Sequence, residues 1–176
     1  FKEDTSISTQ MVKYLEKNVV LNGAFPEKGD TLLGWATEST STTVVYAVIS
    51  TIDTFKETEN IDLYAVWKAN TYKVKYNANT AEGKIEDTIA TYDEITEIAD
   101  ASAFTKTGYK FNIWTTDVSK TDVVVTVGSK ADITAAGIYY ATAEDKYYVY
   151  NVVDGTENND EITLYATWTP ITYTIK

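Results

Sequence analysis

The chain is written twice over, and that internal repeat limits its fold more than any other feature. "FPEKGDTLLGW" (25–35) aligns with "FTKTGYKFNIW" (104–114) at an offset of 79, and "ISTQMVKY" (7–14) aligns with "IEDTIATY" (85–92) at 78. "LYAVWKANTYKVK" (63–75) aligns without a gap with "LYATWTPITYTIK" (164–176) at 101. Self-similarity at a fixed spacing marks a chain assembled from repeated units, each with its own anchors.

The last offset exceeds the first by 22 (101 against 79), so the second copy carries an insert of that size within about 115–163. The insert holds "DVVVTVG" and "GIYYATAEDKYYVYNVVDGTE". Its alternation and the Asp154-Gly155 turn signal predict one added β-hairpin. In the second copy "TYKVKYNAN" (71–79) precedes the stretch matching Phe1 onward, whereas the first copy starts after such a segment. The expected organisation is module 1 over 1–68 without its first strand, module 2 over 69–169, and a lone first strand of a following repeat at 170–176.

With 176 residues, 44% of them apolar, one medium core or two small ones can form. Threonine and tyrosine are abundant, and short alternating segments are bounded by Gly, Asn and Asp. That pattern suits pleated, half-buried strands. The predicted class is mainly β or α+β. Trp35 and Trp67 are expected in one core, Trp114 and Trp168 in the other. "STQMVKYLEKNVV" (8–20) and "TIATYDEITEIADAS" (88–102) are each expected to hold one short helix.

The boxes Y-x-V-x-Y-x-A-N, F-T-K-T-G-Y-K-F-x-x-W and LYATW resemble the Listeria–Bacteroides repeat, the internalin-type B repeat of bacterial surface proteins. The resemblance spans nearly the whole chain. It departs at "NIW", where the usual box reads AGW, and at Pro26, Asp30 and Leu32, which stand opposite Thr105, Tyr109 and Phe111. What it implies is two tandem β-grasp-like modules in an elongated array, on an extracellular or cell-surface protein. Such modules mostly serve as spacers or adhesion modules, and no enzymatic activity comes with them; a stalk or fibre element is the role expected here.

The residue inventory excludes much chemistry. Cysteine, histidine and arginine are absent and the net charge is −11, which leaves no thiolate, no imidazole base and no positive footprint for nucleic acid. No apolar run reaches the roughly 20 residues of a membrane span. No catalytic residue and no cofactor is predicted. Many carboxylate pairs exist, but a charged surface accounts for them. Asp154, Glu157, Asp160 and Glu161 form an oxygen-rich stretch, a weak calcium candidate without EF-hand spacing, for which a solvated turn is the simpler reading. The Lys and Asn residues of "KVKYNAN" offer an isopeptide crosslink, against ordinary polar residues of a sheet. Tyr139, Tyr140, Tyr147, Tyr148 and Tyr150 offer an aromatic surface for a glycan or host protein, although alternation places half of them in a core.

The C-terminal segment raises the functional question. Ile171, Tyr173 and Ile175 share one face of an extended strand, as Tyr72, Val74 and Tyr76 do in module 2. Either the segment opens a third copy of a longer array, or it fills the first-strand position of module 1 in another copy, head to tail. Strand donation of that kind is an established mode of β-augmentation.

Overall fold

A computed structural model describes residues 9–21, 28–48, 51–119, 124–155 and 159–175. Among these, thirteen strands form, and the one helical element is a single 3-10 turn at Lys130–Asp132. The chain divides into two compact units, Phe1–Lys68 and Ala69–Lys176.

Unit 1 contains β1 (Lys17–Val20), β2 (Asp30–Ala36), β3 (Tyr46–Ala47), β4 (Thr51–Thr54) and β5 (Tyr64–Ala69). β1 pairs antiparallel with β4, Val19 opposite Ile52. β2 lies between β3 and β5 in a second sheet, which leaves β5 at an edge. Val19, Ala36 and Val66 are buried. Trp35 and Trp67 are only half-buried, so neither is the enclosed anchor expected for a module core.

Unit 2 contains β6 (Thr71–Asn77), β7 (Thr88–Thr91), β8 (Thr96–Ile98), β9 (Tyr109–Thr115), β10 (Val124–Val127), β11 (Gly137–Ala141), β12 (Lys146–Tyr150) and β13 (Asp160–Pro170). They form two four-stranded sheets, ordered β7-β6-β13-β9 and β10-β11-β12-β8. β6 and β13 run parallel, while β7 and β9 flank them antiparallel. Both sheets contribute to one core. Tyr72, Val74, Ala90, Trp114, Leu164 and Ala166 come from the first, and Ile98, Ile138 and Val149 from the second. The period-2 alternation of "TYKVKYN" places Tyr72 and Val74 inward, with the lysines between them outward. Trp114 is fully buried and Trp168 packs partly buried on the same cluster.

Two expectations are corrected. Neither helix forms among the described residues. In the first stretch Leu15 and Asn18 adopt φ of 61° and 56°, which a right-handed helix forbids, and Val19 and Val20 pair with β4. In the second, the chain turns at Asp93, φ 62°, and its β-branched residues form β7 and β8. The insert does contain a hairpin, β11 with β12, but it turns over 142–145 and not at Asp154-Gly155. "VVTV" joins it as β10, parallel to β11.

Burial of Tyr72 has a measurable consequence. Its hydroxyl lies in the core without a well-formed hydrogen bond. Desolvation pushes its pKa up to about 12, an effect partly offset by the approaching backbone of Val152 and Asn151. The unfolded phenol ionises near 10 and the folded one near 12, so the unfolded state binds fewer protons between those values. Stability is complete below pH 10 and falls as pH rises toward 12, by roughly 1.4 kcal/mol per unit from this group. Burial shifts Tyr76 and Tyr147 the same way. Thermal melts between pH 9 and 11.5 are expected to show this decline, less steep in Tyr72→Phe; equal slopes would refute the assignment.

Candidate functional site: a strand edge and an apolar tail

The repeat marks one place where the two units differ, the sheet edge that β6 covers in unit 2. β6 provides the template. On one side it pairs parallel with the first half of β13, Tyr72 with Asp160 through Asn77 with Tyr165. On the other it pairs antiparallel with β7, Tyr72 opposite Ala90. β13 meets β9 only from Tyr165 to Pro170. Residues 160–164 are therefore held in the sheet by β6 alone. Outside the core, Glu161 receives Lys73 at 3.3 Å and Lys75 at 2.5 Å. Hydrogen bonds from Lys75 first and Lys73 second hold its carboxyl below the ordinary value. These pairs are exposed, so they set register more than stability.

Unit 1 repeats this arrangement, with no strand matching β6 or β7 among its described residues. β2 occupies the bounds of β9 shifted by 79, and β5 occupies the second half of β13 shifted by 101. The counterpart of the first half, 59–63, belongs to no strand. Residues 9–13, which correspond to the β7 stretch, also lie outside every described strand. Tyr14 is 60% exposed where its counterpart Tyr92 is 7% exposed, while Met11 and its counterpart Ile89 are both exposed. The sequences "ENIDL" and "DEITL" are similar in pattern. Residues 160–164 lie beside β6, and no described strand is paired beside 59–63; an extended segment needs partners for its amide and carbonyl groups.

The tail is the mirror image of this edge. Residues 171–175 lie in no strand and are all exposed, Ile171 at 42%, Tyr173 at 81% and Ile175 at 97%. Tyr72 and Val74, their counterparts at the repeat offset, are 1% and 0% exposed. Ile171 is tied back to its own unit, its N–H donating to the Gly108 carbonyl at 2.8 Å.

The other sequence candidates fall as follows. Of the calcium candidates, Glu157 lies outside the described residues and Glu161 is engaged by two lysines. Asp154 and Asp160 do not join a third ligand, and no metal-holding group of three or more acidic side chains occurs among the described residues. Tyr139 and Tyr148 are buried in a small cluster with Ile133. Tyr140, Tyr147 and Tyr150 are half-buried, Tyr147 lying 6.0 Å from Phe111 and 5.0 Å from Tyr140. The repeat alignment predicts an open sheet edge in module 1 but does not place it at 59–63, because nothing local distinguishes that segment from 160–164.

A model of one family, the Listeria-Bacteroides repeat domain, matches residues 1–66 and again residues 72–142. No curated protein and no solved structure matches the chain.

Proposed function

Because the chain belongs to the Listeria-Bacteroides repeat family, a structural repeat of bacterial surface proteins, we propose that it is a stalk or fibre element of such a protein, acting outside the cell. Its repeats are β-grasp-like modules, each completed by a first strand. Module 1 spans 1–68 and module 2 spans 69–169, while 170–176 is the first strand of the next repeat unit. The partners are neighbouring repeats of a longer chain, and other copies of the same chain through donation of the strand carrying Ile171, Tyr173 and Ile175. In head-to-tail donation one surface meets a different surface on the next copy, so the contact does not close and extends into a filament.

One observation carries this reading: among the described residues 59–63 form no strand and have no strand paired beside them, while a β6-like segment stands exposed at 171–175. An unpaired edge with an apolar tail of matching alternation is the setting in which strands add. Light scattering with negative-stain imaging tests it. Concentration-dependent oligomers are expected for the intact chain, and a monomer at all concentrations on deletion of 170–176. Oligomers that survive the deletion would refute donation, and a monomeric intact chain would leave the stalk reading alone.

A further inference from the structure

Resting on the donation reading, we infer that unit 1 selects the 172–175 segment of a second copy in one register. Thr174 lies opposite Asn60, Tyr173 and Ile175 enter the core, and 59–63 folds into a strand as the segment binds.

The register comes from unit 2. Glu161 pairs with Lys73 and Ile162 with Val74 across the parallel β6–β13 ladder. At the offset of 101 these pairs become Asn60 with Thr174 and Ile61 with Ile175. Tyr173 then takes the place of Tyr72, opposite Glu59. A shift by one residue would point both apolar side chains to solvent and both threonines inward. The apolar pattern therefore permits few alternatives.

The polar positions identify the occupant. In unit 2 Glu161 takes two outward lysines, Lys73 and Lys75. At the corresponding positions the tail has Thr174 and Lys176, and the edge has Asn60. Thr174 beside Asn60 leaves no charge unmatched in that pair, and Lys176 falls opposite Asp62, as Lys75 falls opposite Thr163. The tail therefore brings its one lysine to an edge carboxylate, whereas a copy of β6 would bring a second to Asn60.

Ile171 plays a different part from the other two apolar residues. Its counterpart is Asn70, a 3%-exposed side chain whose amide donates to the Gly155 carbonyl at 3.0 Å. Isoleucine cannot make that bond, and the Ile171 N–H is already used at Gly108. Ile171 is the hinge that stays with the donor, and the inserted residues begin at Thr172.

The absence of cysteine gives a clean background for a crosslinking test. Chains bearing Asn60→Cys are mixed with chains bearing Thr174→Cys, or with chains bearing Thr172→Cys, and oxidised mildly. All three positions face outward, so the apolar anchors are untouched. In-register neighbours fall within disulfide reach and positions two residues off do not, so the Asn60/Thr174 mixture is expected to give about tenfold more mixed dimer. Hydrogen exchange at 59–63 is expected to slow on assembly of the unmodified chain. A preference for the Asn60/Thr172 mixture, with oligomers still present, would overturn the register while leaving donation intact. Oligomers with unchanged exchange at 59–63 would overturn the coupled folding. Monomers with no mixed crosslink would remove donation and this inference together.

Discussion

Replacing Trp114 with alanine is expected to destabilise unit 2 by about 3–5 kcal/mol, the cost of emptying a fully enclosed aromatic site. The indole is 0% exposed. Its ring lies 5.2 Å from Tyr76, 6.1 Å from Phe104 and 5.2 Å from Phe111, and its Nε1–H donates to the Ala99 carbonyl at 3.0 Å. The alanine variant loses those contacts and leaves the Ala99 carbonyl unpaired. Trp114→Phe retains most of the packing and loses chiefly the hydrogen bond, so an intermediate cost is expected. Trp35 occupies the matching place in the first copy and is half-buried, so Trp35→Ala should cost unit 1 less than half as much. Urea unfolding of each variant, followed by hydrogen exchange resolved to the strands of each unit, separates the two effects. Equal costs at the two tryptophans would contradict the difference in burial.

That difference shows where sequence stops carrying structure. The box ending in Trp35 and the box ending in Trp114 give strands with the same bounds at an offset of 79, β2 and β9, because turn glycines and the aromatic end are local signals. The burial of Trp114 is not local. It depends on Tyr76 from β6 and Phe104 from the preceding loop, elements brought together only by the sheet. The same reasoning explains why β13 is eleven residues long and β5 six, although their sequences match closely. β6 braces the extra half of one, and no described strand braces the other. The helix expectations failed for a related reason. Periodicity in 8–20 and 88–102 was ambiguous, and the decision fell to left-handed backbone at Leu15, Asn18 and Asp93 and to cross-strand partners. The tail's alternation was fully legible at Ile171, Tyr173 and Ile175, whereas the strandless segment at 59–63 was visible only by comparing two structures of one repeat.

Gly155 tests whether the turn signal it carries is a requirement of the loop or of the core beside it. The Gly155→Ala variant is expected to lose about 3 kcal/mol or more. Its φ is +75°, and an L-residue there costs roughly 1–2 kcal/mol from backbone strain. A Cβ would also sit 2.3 Å from Cε2 and 2.7 Å from Cδ2 of Tyr92, a ring that is itself buried. Relief requires that ring to move, and forced repacking in a filled core costs a further 1–3 kcal/mol. The movement would also reach Asn70, whose amide bonds the Gly155 carbonyl and whose carbonyl accepts the Tyr92 N–H at 2.8 Å. Gly108 isolates the backbone contribution, with φ +79° and nothing within 4 Å of the added atom. Gly108→Ala should therefore show the strain cost alone. If the two variants lose the same stability in urea, the glycine at 155 serves only the turn. A larger loss at 155 means that the close approach of backbone to Tyr92 locks the end of the insert onto the core, which is why a turn signal appears where no hairpin turns.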